Sequence, residues 1–283
     1  MLRGRTAGQV AVDAHWMEGG MSEERPWALI LGASSGFGEA TGLELARAGY
    51  DIIGVHLDRK ATLPHVEEVI GGIRAAGRKA VFFNVNAADP ERRVEVLARA
   101  REEAGASGTV RVLLHSLAFG NLRPYIADDP GDQITEAQMD MTLQVMAHSL
   151  VYWVQDLVHA GLLRRGARVY AMTSAGGARV LPNYGAVSAA KAALESHVRQ
   201  LAMELAPRGI AVNAIRAGVT DTPALRKIPG HEAIAESALR RNPSGRLTAP
   251  EDVARAIAVL SQPGTEWITG NVIGVDGGED IVG

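Results

Sequence analysis

The chain has 283 residues, 47% of them hydrophobic and 22% charged, with a formal net charge of −3 and no cysteine. That is enough apolar material for one large core, and the balance of charge offers no basic footprint for nucleic acid. Disulfides, thiolate catalysis and cysteine-based zinc sites are excluded, no apolar run approaches the ~20 residues of a membrane span, and a cytoplasmic protein is expected.

Residues 1–26 mix Arg, Gly and Glu around a single Trp, with no apolar core of a secretory signal and no sustained period. They read as an N-terminal extension, loosely ordered. From Trp27 to Gly283 short apolar runs alternate with helical patterns, which predicts crossover units and a parallel sheet covered on both faces. In chain order these are strand WALILGA, helix EATGLELARAG, strand DIIGVHL, helix HVEEVIGGIRAAG, strand KAVFFNV, helix PERRVEVLARAREEA and strand VRVLLHSLA. A long helix near 135–160 follows, then strand ARVYAMTS, a helix near 184–206, strand GIAVNAIRA, a helix near 250–261 and strand NVIGVDGG. The fold class is therefore α/β, a single doubly wound domain with about seven parallel strands. Two loop-rich stretches follow strand ends, FGNLRPYIADDPGDQ and the segment near 219–248, and are well placed to cover a substrate.

LGASSGFGEA puts Gly32, Gly36 and Gly38 between the first strand and the first helix. A turn without side chains lets backbone approach a pyrophosphate, and the helix N-terminus behind it favours negative charge. Ser34 and Ser35 are read either as phosphate donors or as plain turn serines, and Phe37 lies within the loop. At the second strand's end stands His56, followed by Asp58, Arg59 and Lys60; the acid suits a free ribose 2′-hydroxyl, the two cations a 2′-phosphate. NADPH is the expected cofactor, with NADH the alternative.

Gly-x3-Gly-x-Gly after the first strand, NAIRAG at 213–218 and VDGG near the C-terminus together resemble the short-chain dehydrogenase/reductase family, over residues 27–280. The resemblance implies that Asn84 and Val85 line the adenine, that Ser116, Leu117 and Ala118 pack on the cofactor, and that Gly218 and Thr222 meet its nicotinamide end. Ordinary members carry a serine thirteen residues before a tyrosine and a lysine four beyond it. Here Ser174 and Lys191 keep those registers while Val187 stands at the tyrosine's position, and a tyrosine occurs one turn earlier, at Tyr184. On a helix at ~100° per residue Tyr184 and Lys191 would share a face.

Tyr184, Lys191 and Ser174 are the expected catalytic residues, with Ser174 open between a substrate contact and a turn serine. A nearby ammonium is expected to favour the ionised phenol. In carbonyl reduction the acid must stand beside the carbon that takes hydride; in conjugate reduction of an enoyl thioester, charge develops further along the system, so a set-back phenol suits it. The PNY context and HSLAF at 115–119 resemble bacterial enoyl-acyl-carrier-protein reductases, in the subgroup that keeps the conventional glycine loop. His115 is read as a backbone-satisfied or cofactor-adjacent residue rather than an acid. Met146 occupies the place where ordinary members hold a relay water on an asparagine.

The resemblance implies reduction of the trans-2 double bond of an acyl-carrier-protein or coenzyme A thioester, by a homotetramer built through its long central helices. Arg226, Lys227, Arg240, Arg241 and Arg246 read as a basic rim for an acidic carrier or as scattered surface cations. A carbonyl or alcohol oxidoreductase and a non-catalytic dinucleotide-binding regulator are the competing readings. No metal, membrane or nucleic-acid partner is expected, since no helical histidine pair carries an activating glutamate.

Overall fold

The computed structural model describes residues 25–105 and 108–282; the N-terminal extension lies outside them apart from its last two residues. Seven strands, β1 (Trp27–Leu31), β2 (Asp51–His56), β3 (Ala80–Asn84), β4 (Val110–His115), β5 (Arg168–Ser174), β6 (Ala211–Ala217) and β7 (Val272–Val275), form one sheet. Its order is β3-β2-β1-β4-β5-β6-β7 and every pairing is parallel, as the apolar strands predict. The order reverses between β1 and β4, so a crevice opens beyond the carboxyl ends of those two strands.

Alternate strand residues serve two cores. Leu29, Leu31, Leu113 and Ala171 face one side, against α3 (Pro90–Ala104), α5 (Ser149–His159) and α6 (Gly185–Leu205). Ala28, Ile30, Val112, Leu114 and Tyr170 face the other, against α1 (Gly36–Arg47), α2 (Leu63–Ala75) and α8 (Pro250–Leu260). This period of two is what buries β1, β2 and most of β4 completely. Local signals set the helix ends: Asp89 accepts the Glu91 and Arg92 amides ahead of Pro90 at the start of α3, and the Asp252 carboxylate accepts the Ala249 amide at the start of α8.

The helix expected near 135–160 is not uniform. It runs as α4 (Glu136–Leu143), a π-helical turn at Gln144–His148, and α5. Within the turn the Ser149 hydroxyl donates to the Val145 carbonyl, a side-chain bond that competes with the regular ladder. The segment near 219–248 is not all loop either: it carries α7 (His231–Arg241). Among the described residues no helix is long and apolar enough to cross a membrane.

Candidate active site

The glycine loop is shaped by close approach. Gly32 has a φ of +89°, and a Cβ there would overlap the Ser116 carbonyl oxygen; a Cβ at Gly38 would overlap the carbonyl oxygen of Gly32. The Gly32 and Ala33 amides donate to the Val55 carbonyl at 2.8 and 3.1 Å, which ties the loop to the end of β2. Gly36 faces Thr222, whose methyl carbon would lie 3.5 Å from an added Cβ. Gly32, Gly36, Gly38, Ser116, Leu117 and Thr222 therefore meet in one cradle over the sheet's switch point. Gly218, at the end of β6, donates its amide to the Val275 carbonyl, and a Cβ there would overlap Thr248 Oγ1. Ser35 caps α1 with extended backbone and makes no side-chain cap bond. A cradle that any side chain would fill, at a helix N-terminus, fits a dinucleotide pyrophosphate.

Five of the expected cofactor residues have other partners within the fold. Phe37 packs its ring on the α1–α2–α8 core and lends the cradle only backbone. His56 is buried, and its Nδ1 lies 2.9 Å from the Asp58 carboxylate; it orients that acid. Asn84 brackets the same loop, accepting from the Asp58 amide at 2.9 Å and donating to the Asp58 carbonyl at 3.0 Å. Val85 donates its amide to His56 and packs on the core, and Ala118 is exposed beside the crevice. Burial works against the Asp58 carboxylate's charge, but hydrogen bonds from Ser34, Thr62 and His56 outweigh it and hold Asp58 below the usual carboxylate range. An ionised acid thus stands against the glycine loop, while Arg59 and Lys60 point to solvent.

At the opposite wall, Pro182 and Asn183 turn the chain into α6. Asn183 is the one non-glycine residue with positive φ among the described residues, at 61°, a region asparagine tolerates best. Tyr184 follows as the N-cap, with φ −97° and ψ 2°, and its carbonyl accepts the Ser188 amide at 2.8 Å. Tyr184 thus caps α6, one residue ahead of its first turn, while Lys191 lies within it. The ring fills a slot beside Gly176, where a Cβ would lie 2.6 Å from Tyr184 Cε1 and 3.4 Å from Ser174 Oγ. Ser174 Oγ is buried and makes no aligned hydrogen bond, though it is near enough to the phenol to pull its pKa down. Burial is the larger effect and raises Tyr184 above its ordinary value.

The ammonium expected to favour the ionised phenol, and so strengthen it as a donor, does not set its direction of shift; burial does. Lys191 Nζ donates to the Met172 carbonyl at 2.7 Å, and burial lowers its pKa to about 8, with Glu195 opposing. Glu195 is itself fixed by the Thr173 hydroxyl at 2.7 Å. The phenol stays protonated at neutral pH, which makes it a donor. At the register where ordinary members carry their tyrosine, Val187 is buried at 5% exposure. It packs near Gly120 and Met146, and Met146 lies buried in the π-helical turn.

The sequence reading missed Tyr125. Its ring lies over Gly185, where a Cβ would sit 2.6 Å from the ring, so a second tyrosine packs on the first residue of α6. Only the proximity of an exposed loop to the start of α6 reveals it. The basic rim is largely neutralised: Arg226 pairs with Asp221 at 2.8 Å, Arg240 with Glu236 at 2.7 Å, Arg241 with Glu279 at 3.3 Å and Arg246 with Asp252 at 2.6 Å.

The family model described as Enoyl-(Acyl carrier protein) reductase matches residues 32–279, from the first glycine of the cradle to the C-terminal turn. The chain belongs to the short-chain dehydrogenase/reductase family. It is 31% identical over 263 residues to the 1-cyclohexenylcarbonyl-CoA reductase of Streptomyces collinus, covering 92% of this chain and 89% of that one. It is also 31% identical over 253 residues to the 3-oxoacyl-[acyl-carrier-protein] reductase of Aggregatibacter actinomycetemcomitans, covering 88% and 97%. A short-chain dehydrogenase from Burkholderia cenocepacia J2315, solved in complex with NADP, superposes with a TM-score of 0.76 at 28% identity, covering 90% of this chain and 98% of that one. This family member is an oxidoreductase of a nicotinamide dinucleotide.

Proposed function

We propose that this short-chain dehydrogenase/reductase reduces the trans-2 double bond of an enoyl thioester. The observation that carries the reading is the buried Val187 at the ordinary tyrosine register, which leaves Tyr184 as the phenol beside Ser174. When bound, the nicotinamide supplies the hydride. The chain's own residues then manage charge. Tyr184, kept protonated by burial, donates a hydrogen bond to the thioester oxygen as it takes on enolate character. Lys191, anchored on Met172, keeps N–H groups to spare for the cofactor ribose, and its ammonium is largely intact at pH 7. Ser174 Oγ, buried and unpaired, suits a polar contact to substrate.

Gly32, Gly36, Gly38, Ser34, Ser116, Leu117 and Thr222 would hold the cofactor. Arg59 and Lys60 support NADPH; the ionised Asp58 against Ser34 supports NADH. The segment near 219–248, with α7, would cover the substrate. Because four of the five rim cations are paired, a coenzyme A thioester is better supported than an acidic carrier protein. A homotetramer through the central helices completes the reading, and sedimentation measures it.

The second reading, a 3-oxoacyl reductase, draws on Ser174 at its usual register and on the Aggregatibacter relative. Consumption of NADPH and NADH with crotonyl-CoA and with acetoacetyl-CoA separates the two. Faster turnover of crotonyl-CoA, lost in Tyr184→Phe, is expected; preference for acetoacetyl-CoA overturns the enoyl assignment.

A further inference from the structure

Asp51 and Glu279 are the two buried carboxylates among the described residues. Asp51, at the head of β2, is spent inside the sheet on the Lys79 amide and the Arg78 guanidinium. Glu279 lies after β7, where the Asp276 carboxylate accepts the Gly278 amide at 3.0 Å and the Asp276 carbonyl accepts the Glu279 amide at 3.1 Å. These bonds fold the VDGG motif back and start a 3-10 turn at Glu279–Ile281. Asp280 pins that turn to the body of the protein: Arg216 of β6 donates to it at 3.0 Å, and so does Arg179, from the loop that leads into Tyr184. Glu279 makes separate contacts. One of its oxygens accepts the Val219 amide at 2.9 Å and the other accepts from the Arg241 guanidinium at 3.3 Å.

Those two partners bracket the greater part of the segment 219–248. Val219 opens it, just ahead of the Thr222 that meets Gly36 of the cradle, and Arg241 ends α7. The next residue, Asn242, donates to the Asp276 carbonyl at 2.9 Å, so the same motif holds the chain as it leaves the helix. Between these anchors α7 has little else to fix it. Ala238 is its one buried residue, and it packs chiefly on two turns, Leu225–Lys227 within its own segment and Glu279–Ile281 outside it. Glycines in the left-handed region flank it, Gly230 at 76° and Gly245 at 66°, each in open space. A helix without a buried apolar face is placed by its polar tethers. A buried ion pair adds little net stability over apolar side chains of the same volume, so what Glu279 contributes is geometry.

We propose that Glu279 is a positioning residue for the substrate, a latch that joins the start of the covering segment at Val219 to the end of α7 at Arg241 and so sets α7 over the crevice. The inference rests on residues 219–248 covering the substrate, and not on which thioester is reduced.

The test is hydrogen exchange read by mass spectrometry on the full chain without ligand, together with steady-state kinetics on crotonyl-CoA and acetoacetyl-CoA. Glu279→Gln keeps an acceptor for the Val219 amide and gives up the charge that holds Arg241. An undocked helix of 11 residues is marginal in water, so the amides of 231–241 are expected to exchange at least about tenfold faster while those of β1 and α1 keep their rates. With α7 in place about a tenth of the time, KM for whichever thioester is turned over rises about tenfold, and kcat and dinucleotide affinity change little. Arg241→Met releases the same arm and is expected to match, whereas Arg241→Lys, which keeps a cation for the carboxylate, retains most of the wild-type behaviour. Should Glu279→Gln not fold, Arg241→Met decides by the same readouts. An unchanged KM, unchanged exchange in α7, or faster exchange spread evenly over the sheet overturns the proposal. Preference for acetoacetyl-CoA in the unaltered protein overturns the enoyl reading alone, because the comparison of KM holds on either thioester.

Discussion

The two walls of the crevice are made in different ways. The cofactor wall is backbone against backbone: Gly32 on Ser116 and Gly38 on Gly32 leave no room for a methyl group, and the helix N-terminus does the electrostatic work. The opposite wall is side chain against slot: Tyr184 beside Gly176, Lys191 on Met172, Tyr125 over Gly185. One wall follows from steric necessity that any dinucleotide binder of this topology meets. The other is a set of substitutions on that frame, and there the chemistry is chosen.

Breaking each wall should therefore give different signatures. The largest effect is expected from Tyr184→Phe, which removes one donor from the developing oxyanion: turnover falls roughly 10²–10³-fold while cofactor affinity, measured by fluorescence titration, changes little. A comparable loss of cofactor affinity in this variant would mean that the two walls are not separable. Gly38→Ala attacks the other wall; the added carbon meets the Gly32 carbonyl, so about 1–3 kcal/mol of stability and most dinucleotide binding should go together in thermal melts with and without cofactor.

Lys191→Met sharpens the contrast through stability. The folded pKa of about 8 lies below the usual 10.5, so between these values the unfolded chain binds more protons and stability rises with pH. Below about pH 8 the buried ammonium destabilises the fold. Replacing it should abolish turnover yet stabilise the protein at pH 7 by about 2 kcal/mol: roughly 3 from the shift, less about 1 for the Met172 carbonyl left unpaired. The gain should fade towards pH 10.5, as urea melts across that range would show. The smallest effect is a preference: Asp58→Asn should move the NADPH-to-NADH ratio of kcat/KM about tenfold towards NADPH, by removing a carboxylate from the ribose end of the crevice. No change would place Asp58 outside the cofactor's reach.

Much of this was legible in the residues themselves. The strands could be read because alternation and apolar runs are local consequences of a sheet covered on both faces, and the glycine loop because its constraint is also local. The displaced tyrosine was visible as a register, Val187 in place of a phenol. Its setting was not: helical spacing put Tyr184 on α6, whereas the left-handed Asn183 makes it a cap. The direction in which the phenol's pKa moves was not legible for a related reason. Spacing places an ammonium near a phenol but says nothing of how far each is desolvated, or that Met172 holds the lysine. The basic rim looked uniform in sequence because its carboxylate partners lie up to 38 residues away, as Glu279 does from Arg241.

The sequence by itself determined the architecture and the glycine cradle and singled out the candidate groups of the opposite wall, since periodicity, glycine geometry and residue type act over a few neighbours. Only the tertiary structure decided the desolvation of Tyr184 and Lys191, the carbonyl that holds the lysine and the pairing of the surface cations. Those depend on solvent exclusion and on partners brought from distant strands and helices, and both arise only when the layers close.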